Sequence, residues 1–228
     1  MKVAIIPARA GSKRIHKKNI RPFFGRPMIA WSIDAALASH CFDRVIVSTD
    51  DDEIAEIARA EGAETPFRRP PELSDDVAGT MPVIAHALNW VIAQGSHVEY
   101  ACCVYAAAPF IRASAIIDGW NLLQHEGCEY VFTATTFPSP IQRAMRVTSL
   151  GRLEMLYPEY SSTRSQCLEE AYHDAGQLYW GKAEAWLDQK PIFSRHSAPL
   201  ILPRYRVQDI DTFEDWERAE RMFAAIQE

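Results

Sequence analysis

Apolar residues in this chain keep two different spacings. Runs rich in apolar and β-branched residues, such as a strand buried on both faces requires, fall at residues 2–8, 44–49, 98–106 and 129–136. Between them the apolar residues recur every three or four positions. Ile29, Ile33, Ala36 and Leu37 share one face of a helix predicted over 27–37, with Pro27 tolerated in its first turn. Further helices are predicted from Asp50-Asp51-Asp52 through Ala60, closed near Gly62, and over 80–94, 113–125 and 212–226. Strands alternating with amphipathic helices predict an α/β fold, a mostly parallel sheet with helices on both faces.

After Thr136 this rhythm breaks. Pro138 and Pro140 lead into two short strand-like pieces, 144–148 and 152–156, turned by Ser149-Leu150-Gly151. A polar stretch follows, and the apolar pattern resumes at 177–180. The expectation is one domain over 1–228 with an inserted excursion at about 138–170, serving as a lid, an oligomerisation arm or both.

Composition changes this picture little. The 228 residues are 48% hydrophobic and 24% charged, ordinary for a globular enzyme that buries its own core. No apolar run approaches the ~20 residues needed to span a bilayer, and the opening apolar stretch is too short for a secretory signal. The expectation is a cytoplasmic protein with no membrane partner. The five cysteines include no C-x-x-C pair, against both a disulfide framework and a zinc site.

Charge changes it more. The formal net charge is −6, yet residues 1–26 hold eight of the 24 basic residues and none of the 30 acidic ones. A nucleic-acid partner would call for a basic face. Positive charge confined to one segment suits a small, highly charged anion.

That segment, Arg9-Ala10-Gly11-Ser12-Lys13-Arg14 through Lys17-Lys18-Asn19, directly follows the first predicted strand. Ligands of open α/β sheets bind beyond the carboxyl ends of strands. A glycine there lets the backbone turn and offer N–H groups to an anion, and the basic side chains add charge-assisted hydrogen bonds. Neither G-x-G-x-x-G nor G-x-x-x-x-G-K-[ST] is present, which argues against a dinucleotide oxidoreductase or P-loop ATPase.

Asp209-Ile210-Asp211 is the second constellation. Carboxylates at i and i+2 of an extended segment face the same side, and phosphate-bound Mg²⁺ takes one or two carboxylates. Asp211 is equally a candidate N-cap of the last helix, with Glu214 completing a capping box. Arg68-Arg69 and Arg164 read either as anion clamps or as solvated side chains, and His86 as a packing residue. Tyr172-His173-Asp174 has no accompanying G-x-S-x-G, against hydrolase chemistry.

Several runs together resemble the CMP-sialic acid synthetase family. They are Ile5-Ile6-Pro7-Ala8-Arg9-Ala10-Gly11-Ser12-Lys13, Lys18-Asn19-Ile20, Gly25-Arg26-Pro27-Met28-Ile29, Val47-Ser48-Thr49-Asp50-Asp51, Arg69-Pro70-Pro71-Glu72-Leu73 and Asp209-Ile210-Asp211. Where that family usually shows Gln-Pro-Thr-Ser-Pro this chain has Tyr105-Ala106-Ala107-Ala108-Pro109, and its Asn-Gly-Ala becomes Asp174-Ala175-Gly176-Gln177. These departures resemble the branch that activates pseudaminic acid. The resemblance implies a Rossmann-like nucleotidyltransferase that joins CMP, from CTP, to an acidic nine-carbon sugar and releases pyrophosphate. It implies Arg9, Lys18, Asp209 and Asp211 as catalytic residues. Ala8, Arg9, Gly11, Ser12, Lys13, Lys18, Asn19, Arg69 and Thr80 would contact the nucleotide, and Tyr105, Arg164 and Gln177 the sugar. Asp209 and Asp211 would hold Mg²⁺, and the excursion would build a homodimer. Activation of sialic or legionaminic acid, or nucleotide binding without turnover, are the competing readings.

Overall fold

A computed structural model describes residues 1–75 and 77–227. Its elements, in chain order, are β1 (Lys2–Pro7), β2 (Pro22–Phe23), β3 (Arg26–Pro27), α1 (Met28–Ala38), β4 (Arg44–Ser48), α2 (Asp52–Ala60), α3 (Thr80–Ala93), β5 (Tyr100–Val104), α4 (Ala113–Glu126) and β6 (Tyr130–Thr136). They continue with β7 (Met145–Val147), β8 (Leu153–Met155), β9 (Tyr172–Lys182), α5 (Ala183–Leu187), β10 (Ser197–Ile201) and α6 (Phe213–Gln227).

The central sheet has six strands in the order β10-β6-β9-β5-β1-β4. β1 pairs in parallel with β4 and β5, and β10 with β6. β9 runs antiparallel to both β5 and β6, so the sheet is mostly parallel with one reversed strand. Alternate residues of β1 face opposite sides: Ala4 and Ile6 join the core beneath α1, α2 and α4, while Val3 and Ile5 join the core beneath α3 and α5. Both faces are covered, as the predicted α/β fold requires. Where β9 crosses the second core its backbone runs against two rings. A Cβ at Gly181 would sit 2.5 Å from Trp186 Nε1 and 2.6 Å from the Tyr130 ring.

Three features depart from the sequence expectation. The strand foreseen at 177–180 is the middle of the longer β9, which begins at Tyr172 and is bent by an irregularity opposite Thr133. β10 and α5 were not foreseen, and the serine- and proline-containing flanks of β10 carry no clear period. The excursion does form a two-stranded ribbon, with Met145 opposite Met155 and Val147 opposite Leu153. Among the described residues no helix is long and apolar enough to cross a membrane.

Candidate active site

From β1 the chain proceeds to β4 on one side, while β5 lies on the other. This divergence opens a crevice at the carboxyl ends of β1 and β5, where a ligand is accommodated in folds of this class. The crevice is a cleft of about 590 Å³, the size of a small-molecule site. Pro7, Arg9, Ser12, Lys13, Arg14, Lys18 and Asn19 line it from the loop after β1, and Tyr105, Ala106 and Ala107 from the end of β5. Arg69, Thr80, Gly176, Gln208, Asp209 and Asp211 complete the wall.

The loop after β1 is held from beneath. Ile15 is buried in an apolar cluster with Ile210, Phe23 and Trp216, which draws the loop against the Asp209–Asp211 segment. Asn19 is buried and donates from Nδ2 to the Arg9 carbonyl at 3.0 Å, while its own carbonyl accepts from Ile29 at the start of α1 at 2.8 Å. Asn19 therefore shapes the loop that carries the charges. Arg9 donates to the Asp75 carbonyl. The chain turns at Gly11, where the Ser12 N–H donates to the Ala10 carbonyl at 2.8 Å, but the turn does not call on glycine's conformational freedom. The φ of Gly11 is not positive, and a Cβ there would meet nothing within 4 Å. The left-handed residue of the loop is Lys17, with φ 52°. Ala8 is wholly buried, with its N–H on the Ser48 carbonyl, and does not itself line the cleft.

The sequence left two roles open for Asp211, and α6 resolves them. Thr212 caps that helix: its hydroxyl accepts from the Asp215 N–H at 3.2 Å, and the Asp215 carboxylate accepts from the Thr212 N–H at 2.8 Å. The capping pair is thus Thr212–Asp215, one residue on from the Asp211–Glu214 pair expected. The Thr212 hydroxyl, which also donates to the Asp215 carboxylate at 2.8 Å, and then the Thr212 and Asp211 N–H groups hold that carboxyl below its ordinary range, with burial opposing. The Asp211 carboxylate is left to the cleft, where it lies 2.8 Å from Arg14 and 3.4 Å from Lys18. Lys18 also donates to the Ile210 carbonyl at 2.7 Å. Burial, and then the charge of Asp211, push the Asp209 carboxyl above its ordinary range, with Lys18 opposing. Among the described residues no three His, Cys, Asp or Glu side chains converge as a metal cluster. The donor set is two neighbouring carboxylates, which fits a hard cation that draws the rest of its shell from phosphate and water.

Arg69 is 4% exposed, and its Nε and Nη2 have no hydrogen-bond partner among the described residues. Burial lowers its pKa, Asp50 at 3.7 Å raises it, and Arg9 lowers it further. An incompletely paired buried cation on a cleft wall is arranged for an incoming anion. Asp50 also accepts from the Ala10 N–H at 3.1 Å, tying the basic loop to Arg69. Sequence reasoning gave Asp50 no role; its place just past β4 was the available signal.

On the other wall, the Thr80 and Tyr105 hydroxyls are 2.9 Å apart, and the Tyr105 ring packs 5.2 Å from that of Tyr179, whose hydroxyl donates to Asp174. The β9 irregularity swings Gly176, at φ 62°, into the cleft. Gln177 turns the other way. It is 3% exposed, donates to the Arg206 carbonyl, and accepts from the Tyr105 N–H through its own carbonyl at 2.9 Å. It stands behind the wall as a brace and does not line the cleft as foreseen. Arg164 lies exposed in the excursion and is not among the residues that line the cleft. His86 packs edge-on against Phe67, in keeping with a packing role.

Comparison with known proteins places this geometry. A family model described as cytidylyltransferase matches residues 3–226. A pseudaminic acid cytidylyltransferase of Campylobacter jejuni is 41% identical over 97% of this chain and 95% of its own length. A CMP-N,N'-diacetyllegionaminic acid synthase of Legionella pneumophila is 30% identical over 99% of this chain and 97% of its own. Among solved structures, a CMP:2-keto-3-deoxy-manno-octonic acid synthetase complexed with CTP superposes with a TM-score of 0.69 at 15% identity, covering 98% of both chains, a likeness of fold. With its basic loop and carboxylate pair meeting over one Rossmann-like crevice, this chain belongs to the cytidylyltransferase family.

Proposed function

We propose that the protein transfers CMP from CTP to the anomeric hydroxyl of pseudaminic acid, giving the CMP-sugar and pyrophosphate. The observation that carries this reading is the cleft that joins the Arg9–Asn19 loop to Asp209 and Asp211, in a chain 41% identical over nearly its whole length to a protein of that name. The anomeric oxygen attacks the α-phosphorus of CTP, the bond to the bridging oxygen breaks, and pyrophosphate departs. Such a reaction rests on positioning and on charge neutralisation. Arg9, Lys13 and Lys18 face the triphosphate from the β1 loop and stabilise the charge gathering on the leaving group. Arg69 meets a phosphate or the nucleotide from its buried position. Thr80 and Tyr105, bonded to each other, give the opposite wall a polar edge for the sugar.

Asp209 and Asp211 would hold Mg²⁺, which when bound with the nucleotide lowers the repulsion met by the attacking oxygen. The exposed excursion supports a homodimer. Met145, Val147, Leu153 and Met155 alternate with Arg146 and Glu154, so one face of the ribbon is apolar and the other carries the Arg146–Glu154 ion pair. Val147 is 70% and Leu153 68% exposed, more than a lone ribbon would leave in water without a partner surface. Consumption of CTP suits a cytoplasmic location. A mass spectrum of the product from CTP, Mg²⁺ and pseudaminic acid tests the reading: the mass of the CMP-sugar is expected, and unchanged CTP would refute it.

A further inference from the structure

Arg14, which the family resemblance left without a role, lines the cleft. Its guanidinium sits 2.8 Å from Asp211 Oδ2, while the Lys18 ammonium approaches Oδ1 at 3.4 Å. The two cations differ in freedom. The Lys18 side chain is 20% exposed and is tethered by its 2.7 Å bond to the Ile210 carbonyl. The Arg14 side chain is 65% exposed, and among the described residues Asp211 is the acid it pairs with. So one carboxylate oxygen of Asp211 is covered by a largely exposed guanidinium, and the other faces a tethered ammonium.

We propose that Arg14 occupies Asp211 in the free protein in place of the divalent cation, and releases it when an incoming triphosphate draws the guanidinium away. This rests on the reading above that Asp209 and Asp211 hold a metal ion. Its consequence is ordered loading. The nucleotide-free site binds a divalent cation weakly, because the cation must displace a guanidinium, so the carboxylates are not taken by metal ahead of CTP. Phosphate oxygens compete with Asp211 for Arg14, so CTP raises the affinity for metal, and by linkage metal raises the affinity for CTP by the same factor. Arg14 is thus a positioning residue for the metal site.

The test is a Mn²⁺ titration of the nucleotide-free protein, read by the electron paramagnetic resonance of free Mn²⁺. Arg14→Ala is expected to bind Mn²⁺ about two- to fivefold more tightly than wild type, the range an ion pair this exposed supplies. Arg14→Lys should stay near wild type, and Arg14→Gln should follow Arg14→Ala, which guards against a peculiarity of one variant. In an Asp211→Asn background the Arg14 substitution should make no difference. As a second readout, the factor by which Mn²⁺ tightens CTP binding should shrink in Arg14→Ala. Equal Mn²⁺ affinities for wild type and Arg14→Ala, with Asp211→Asn weakening both, would overturn the role of Arg14 and leave the metal site standing. Mn²⁺ binding indifferent to Asp211→Asn would instead remove the metal assignment, and this inference with it.

Discussion

Lys18 divides its charge between a carbonyl and a carboxylate of the Asp209–Asp211 segment, and so fixes where the triphosphate cradle meets the acidic pair. Replacing it with Ala, or Asp209 with Asn, should each lower kcat by at least about a hundredfold, the usual cost of one preorganised charge-stabilising group. Circular dichroism should show the fold retained. A rate within threefold of wild type in either variant would remove that residue from the mechanism. Asp215 offers a separate test of the corrected cap. Asp215→Ala should lower stability by about 1 kcal/mol in chemical denaturation, whereas Glu214→Ala should change it little. The sign of its pH dependence follows from its depressed pKa. The cap contributes fully above the carboxyl's unfolded pKa and is lost as pH falls through its folded value. The difference between wild type and Asp215→Ala should therefore be present at neutral pH and vanish in acid. Single residues were the least legible part of the sequence. Residue type and spacing singled out Asp209, Asp211 and the basic loop, and the structure gathers them around one cleft. Spacing missed the cap by one residue, since Asp211 and Thr212 both suit an N-cap and only the backbone path separates them.

β9 joins the two halves of the sheet and also shapes the cleft. Its upper part packs against β5 and β6 through Gly181, where the Trp186 and Tyr130 rings leave no room for a methyl group. Gly181→Ala should destabilise the protein by about 1–3 kcal/mol, as overpacking in a full core does, while molecules still folded keep their turnover. An unchanged midpoint in denaturant would mean that the rings move aside. The lower part bends where Gly176 takes φ 62°, which carries Gly176 to the cleft and Gln177 behind it. Such irregularities cluster beside active sites because they re-aim a strand. They are hard to read in a sequence: a side chain's face follows from strict alternation, and alternation fails across the bend. Gln177 was implied as a sugar contact by the family resemblance, and past this bend it proves a buried brace on the Arg206 carbonyl. α1, α2, α3 and α4 were legible because each buries one stripe of apolar residues, a local property. The direction of β9 was not, because it depends on the long excursion that delivers the chain to it.

Seen entire, the molecule sets one acidic body around one basic crevice. The alternation of strands and helices was enough to foresee the layered sheet, and the acid-free first 26 residues were enough to single out the loop that lines the crevice. What lay beyond the sequence was the depth of the crevice, which arises from chain crossings at β1 and β5. The excursion stands out from this body with an apolar face. Val147→Glu combined with Leu153→Glu should turn a dimer into a monomer in sedimentation equilibrium, and a monomeric wild type at micromolar concentration would contradict the arm's assigned role.

The most direct test of the whole account is pyrophosphate release by the purified protein with CTP and Mg²⁺, in parallel with pseudaminic, N-acetylneuraminic, legionaminic and Kdo acids. Release with pseudaminic acid, well above that with the other three, is the predicted result. Silence with all four acids, in a folded protein that binds CTP, would contradict the account and leave a nucleotide-binding module in its place.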